Sequence, residues 1–219
     1  MFIANKKQTL LISGPSGNLE LLISSPESSR AITCVICHPH PAQGGTMHNK
    51  VVYTLASTME ALGIKTVRFN FRGVQKSEGL FDYGVGELDD LISVVEWVKT
   101  QCPNDVIWLA GFSFGAYIAI KGNQVCAAER LIAVAPPAGH SYFDGLPQII
   151  CPWVLVQGEQ DEVVDAKTVL NWGKEQVPAP QLIVMPDAGH FFHGQLVLLK
   201  ERLLHEFTDV EAARTYKEK

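Results

Sequence analysis

Gly111-Phe112-Ser113-Phe114-Gly115 is a G-x-S-x-G pentapeptide set where a strand hands over to a helix. Asp105 to Ala110, just before it, is a short apolar run with the character of a buried strand. Ala116 to Ile120, just after it, is apolar and free of Gly and Pro, as a buried helix would be. A sharp turn between the two pushes the central side chain out above a sheet. The flanking glycines follow from sterics, because a Cβ at either position would meet backbone across the turn. The Ser113 hydroxyl then stands beside a helix N-terminus, whose free N–H groups favour developing negative charge.

The rest of the chain continues that alternation. Gln8 to Ser13 and Asn18 to Ser24 read as an antiparallel hairpin around Gly14-Pro15-Ser16-Gly17. Further strands are expected at Ala31 to Cys37, Lys65 to Asn70, Arg130 to Ala135, Trp153 to Gln157 and Gln181 to Met185. Between them, Lys50 to Leu62 and Gly86 to Thr100 carry apolar residues at helical spacing. Glu87, Asp89 and Asp90 in the first turn of the second of these suit its dipole. Ala166 to Gln176 and Gly194 to Phe207 complete the helices, and a polar tail expected to fray runs over 208–219. A hairpin followed by alternating strands and helices implies one α/β domain over 1–219, with eight strands in a mostly parallel sheet covered on both faces. In such sheets, sites form beyond the carboxyl ends of the strands. The connection Pro136 to Cys151 is too short for a multi-helix lid, so the site should be open or only lightly covered.

Composition excludes several classes. A net charge of −5 over 219 residues argues against nucleic acid or an acidic membrane surface as partner. No apolar run approaches the ~20 residues of a membrane span. The N-terminus lacks the pattern of a signal peptide, and five irregularly spaced cysteines suit free thiols in a reducing cytoplasm. Oligomeric state leaves no mark in the sequence.

A serine hydroxyl needs a base, and the base an orienting carboxylate. Of seven histidines, His190 has the best address, in the loop after the last strand; His193, His140 and His205 are weaker candidates. The acid should come from the loop after Trp153 to Gln157. Asp161 fits, whereas Asp165 is better explained as a helix cap. An oxyanion hole needs two N–H donors. Phe114 supplies one. In the loop His38-Pro39-His40-Pro41 the prolines have no N–H, so near its start His40 supplies the other. Arg72 is the candidate contact for a substrate carboxylate.

Four segments together resemble a group of small, lidless bacterial α/β-hydrolases related to dienelactone hydrolases and serine esterases. They are Cys37-His38-Pro39-His40-Pro41, Gly44 to Lys50, Arg68 to Val74 and the Ser113 pentapeptide. The resemblance implies the α/β-hydrolase fold and a Ser-His-Asp hydrolase, with Ser113, Asp161 and His190 on the matching positions. Dienelactone hydrolases proper use a Cys nucleophile where this chain has Ser113, and Gln75-Lys76 stands where the group usually has a Gly after Val74.

Cys34-Val35-Ile36-Cys37-His38 matches the haem-attachment pattern, but on a strand the two thiols diverge. His38, His40 and His48 lack the further ligands of a metal site, so neither metal nor cofactor is expected. The residues point to a serine hydrolase acting on small carboxylic esters. A thioesterase or peptidase would use the same three residues, and a catalytically silent binding protein would use none.

Overall fold

The computed structural model describes the backbone of residues 1–217 and the side chains of residues 1–208. Strands β1 (Lys6–Gly14) and β2 (Gly17–Ser25) pair antiparallel, with Gly14 opposite Gly17 closing a two-residue turn at Pro15-Ser16. The remaining strands are β3 (Ile32–Cys37), β4 (Lys65–Phe69), β5 (Val106–Phe112), β6 (Arg130–Val134), β7 (Trp153–Gly158) and β8 (Gln181–Met185). They join one eight-stranded sheet in the order β1-β2-β4-β3-β5-β6-β7-β8. β2 meets β4 antiparallel, and every pair from β4 through to β8 is parallel. Each strand starts and stops within two residues of its expected bounds.

The helices are α1 (Lys50–Ala61), α2 (Gly86–Gln101), α3 (Phe114–Gly122), α4 (Ala166–Glu175) and α5 (Leu196–Lys217). The two faces of the sheet hold separate cores. One gathers Leu91, Val95 and Val98 of α2, Ile118 of α3 and Val169 of α4. The other gathers Val52, Leu55 and Met59 of α1 with Leu199, Leu203 and Phe207 of α5. Fully burying each such side chain contributes ~1.5–3 kcal/mol. Cys34 and Cys37 fall into opposite cores, as strand geometry requires, and burial raises both thiols well above their ordinary range.

Three local readings change. Glu87 and Asp90, expected as acids suiting the dipole of α2, are both fully buried. Glu87 accepts the N–H groups of Asp82 and Gly84 and so folds the entering loop, while Asp90 engages Arg72. α5 continues to Lys217, through much of the expected polar tail, and the fraying expected for 208–219 falls largely outside the described side chains. Gln75 stands in left-handed backbone at φ 50°, and its Oε1 accepts from Asn70 Nδ2 at 2.9 Å. Pro136 to Cys151 holds only a 3-10 turn at Ser141–Phe143, so no lid covers the carboxyl ends of the strands. Among the described residues no helix is long and apolar enough to cross a membrane.

Candidate active site

Ser113 occupies the turn between β5 and α3 at φ 55° and ψ −121°, a strained conformation for a residue with a Cβ. The surrounding structure fixes it there. Its N–H donates to Val134 O at 2.9 Å, and its carbonyl accepts from Ala116 and Tyr117 at the start of α3. Neither flanking glycine has room for a side chain. A Cβ on Gly111 would lie 2.2 Å from Gly115 O, and one on Gly115 would lie 2.3 Å from Cys37 O. The second contact packs the start of α3 directly onto the end of β3, where the His40 loop begins.

His190 follows β8, and its imidazole is buried between the rings of Phe112 and Phe191, each centred 5.1 Å away. Its Nε2 lies 3.0 Å from Ser113 Oγ, and its Nδ1 lies 2.9 Å from Asp161 Oδ2. An ionised carboxylate only accepts, so Nδ1 carries the hydrogen and Nε2 is left to accept from the serine hydroxyl. Asp161 lies in the loop after β7. Burial works to raise its carboxyl. Hydrogen bonds from His190 and from the backbone of Val164 and Val163 overcome that, and hold it below the usual carboxylate range.

The structure therefore brings Ser113, His190 and Asp161 into one hydrogen-bonded line, from the ends of three strands. Asp165 is occupied elsewhere, capping α4 by accepting from Thr168 N at 2.8 Å. His193 stacks on Phe191 and His140 on Tyr142, so neither takes the place beside Ser113.

The His40 loop is shaped by its own backbone. His40 O accepts from Gln43 N and Gly45 N, and a Cβ on Gly45 would come within 2.0 Å of Pro39 O. The His40 ring packs 5.1 Å from that of Phe114, so the two expected N–H donors come from neighbouring residues. Phe114 opens α3, where an N–H has no partner within the helix. Beneath the loop, His38 is a buried strut. Its Nδ1 donates to Pro39 O at 2.6 Å and its Nε2 accepts from Phe71 N at 3.0 Å. Burial lowers its pKa to about 4, so it stands neutral. Among the described residues no group of His, Cys, Asp and Glu is placed to hold a metal ion.

Arg72 requires a correction. It is not free to meet a substrate, because its Nε and Nη2 bond Asp90 at 2.8–3.1 Å and it is only 7% exposed. A Cβ on Gly86 would lie 1.9 Å from its Nη1, so the start of α2 is packed around the guanidinium.

Two supporting residues escaped the sequence reading. Gln157, fully buried at the end of β7, donates from Nε2 to Asp161 Oδ2 at 3.0 Å. The available signal was a lone amide closing an otherwise apolar strand. Glu162 accepts the His190 N–H at 3.1 Å, and its Oε2 would lie 2.6 Å from a Cβ on Gly189. Gly189 thus makes room for the Glu162 carboxylate.

The open cleft at Ser113 is a small cavity of about 110 Å³, lined by residues that include Pro39, His40, Asn49, Val163, His190 and Phe191. An eight-stranded sheet of this topology, with no lid and a serine at the β5–α3 turn, defines an α/β serine hydrolase. Residues 17–146 match the family model of X-Pro dipeptidyl-peptidases (S15 family), and the chain belongs to that α/β-hydrolase family. The matched span holds Ser113 and the His40 loop and ends before Asp161 and His190. An α/β serine hydrolase homologue from Coxiella burnetii is 48% identical, with a TM-score of 0.88 over 93% of this chain and 98% of that one. A lidless α/β serine hydrolase from Xanthomonas campestris is 42% identical, with a TM-score of 0.88 over 94% of this chain and 95% of that one. An uncharacterized protein of Rickettsia prowazekii is 35% identical over 165 residues, 73% of this chain and 69% of that protein.

Proposed function

We propose that this chain hydrolyses small carboxylic esters through a Ser113-His190-Asp161 triad and an acyl-enzyme. The observation that carries the reading is the contact of His190 Nε2 with Ser113 Oγ at 3.0 Å, in line with the contact of His190 Nδ1 with Asp161 at 2.9 Å. His190 takes the Ser113 proton as Oγ attacks the carbonyl carbon. The N–H groups of His40 and Phe114 hold the oxyanion, a contribution of about 2.7–4 kcal/mol for each such donor. The imidazolium then protonates the leaving oxygen, with Asp161 stabilising its charge. Water, deprotonated by the same Nε2, releases the acid and restores Ser113. The small open cleft suits short acyl chains, and the five free thiols suit a cytoplasmic location.

The family description favours a second reading, removal of dipeptides from a peptide N-terminus. A free amino terminus calls for a carboxylate partner. The residues lining the cleft include none, which supports the ester reading.

The test is a fluorophosphonate probe followed by matched p-nitrophenyl esters, acyl thioesters and aminoacyl amides. Labelling that disappears in Ser113→Ala, with acetyl and butyryl esters cut faster than longer ones and than amides, is the expected result. A wild type that never labels points to a silent binding protein. Faster cleavage of the thioesters or amides replaces the ester assignment.

A further inference from the structure

The cavity at Ser113 is too small for most ester substrates, since sites for small molecules usually measure ~300–1,000 Å³. Part of the substrate must lie outside it. A second depression of about 290 Å³ adjoins it, sharing Gly44, Asn49 and Phe191 as walls. Its other lining residues are Thr46, His48, Lys50, Val51 and His193.

Three features give this depression its chemistry. Its lining holds an ammonium and two imidazoles but no carboxylate, although the chain as a whole carries a net charge of −5. Lys50 makes no ion pair with the described residues, so no carboxylate among them neutralises its charge. The positive character comes from side chains and not from the end of α1, because Asn49 Oδ1 already accepts the N–H groups of Val51 and Val52.

Its position fixes which half of an ester reaches it. In the proposed reaction the leaving oxygen must come within hydrogen-bond reach of His190 Nε2 to take its proton. Phe191 directly follows His190 and His193 comes three residues after it; both wall the depression, which places it on the leaving-group side of Ser113.

We infer that the depression between the Gly44–Val51 segment and Phe191–His193 binds an anionic group, carboxylate or phosphate, on the alcohol portion of the ester. The inference rests on the ester-hydrolase reading above. A charge held outside the reacting centre binds ground state and transition state alike, so its effect falls on KM.

The experiment compares the acetyl ester of 4-hydroxybenzoate with that of its methyl ester. Both give the same acetyl-Ser113, so deacylation is common to the two. The ratio of their kcat/KM values is read in wild type, in Lys50→Gln and in Lys99→Gln, which removes the same charge from α2. Lys50→Gln should lower the anionic-to-neutral ratio about fivefold, mainly through KM, and Lys99→Gln should leave it at the wild-type value. The acetyl ester of 4-hydroxyphenyl phosphate identifies the anion; a loss with either anionic ester supports the subsite. A ratio unchanged by Lys50→Gln, or lowered equally by Lys99→Gln, overturns it. So does an equal loss for p-nitrophenyl hemisuccinate, whose charge lies on the acyl side. Fluorophosphonate labelling of Ser113 separates the two levels. A labelled protein with an unchanged ratio defeats only the subsite, and an unlabelled protein that cuts no ester defeats the hydrolase reading.

Discussion

Gln157 Nε2 and His190 Nδ1 donate to the same oxygen of Asp161, from 3.0 and 2.9 Å. The Gln157 amide faces a second acceptor, Gly158 O at 3.0 Å, so its NH₂ must point that way. Its Oε1 is left buried and without a partner. An orphaned buried acceptor costs about 1–3 kcal/mol, which stability alone does not favour. Holding the Asp161 carboxylate is the compensation.

Gln157→Met removes both the useful donor and the orphaned acceptor. Activity should fall about tenfold, the scale of a lost hydrogen bond to a charged group. Labelling of Ser113 by a fluorophosphonate should slow by a similar factor. The melting temperature should hold or rise. A lower melting temperature with unchanged labelling and activity would make Gln157 a packing residue only.

The strain at Ser113 predicts opposite changes in stability and activity. Ser113→Gly relieves a backbone at φ 55° and should stabilise the fold by ~1 kcal/mol while abolishing labelling. Gly115→Ala drives a methyl against Cys37 O and should destabilise by about 2 kcal/mol or more. Urea melts of both variants check the pair. Stabilities that move together in sign would contradict the strained-elbow account.

His38 predicts how stability depends on pH. Its folded pKa of about 4 lies below the ordinary 6.5, so between those values the unfolded chain binds the extra proton. Stability is therefore retained above pH 6.5 and lost as pH falls toward 4, by about 3 kcal/mol from this residue. His38→Gln should flatten that slope in denaturant melts taken across the window. A slope identical to wild type would place the titration elsewhere.

What the sequence revealed depended on how local the cause was. The Ser113 elbow, the β1–β2 turn and the Asp165 cap are set by neighbours in the chain, and each was readable from a few adjacent residues. His190 and Asp161 were readable because the topology limits sites to strand ends. Glu87 and Asp90 were legible only as acids suiting the dipole of α2, because an acid in a first turn is ordinarily solvated. Their burial depends on partners brought in by the fold, such as Gly84 and Arg72.

Arg72 shows the same limit and yields a sharp test. Its guanidinium grips a fully buried Asp90, whose carboxyl is raised by burial while Arg72 works to lower it. Arg72→Met strands that charge and should destabilise by about 3–5 kcal/mol, whereas Arg72→Met with Asp90→Leu removes both charges and should recover most of the loss. If Arg72 instead met substrate, Arg72→Met would raise KM for carboxylate-bearing esters and leave folding intact. Thermal melts and ester kinetics on the single and double variants separate the outcomes, and the 2.8 Å contact between Arg72 Nη2 and Asp90 Oδ1 favours the loss of stability.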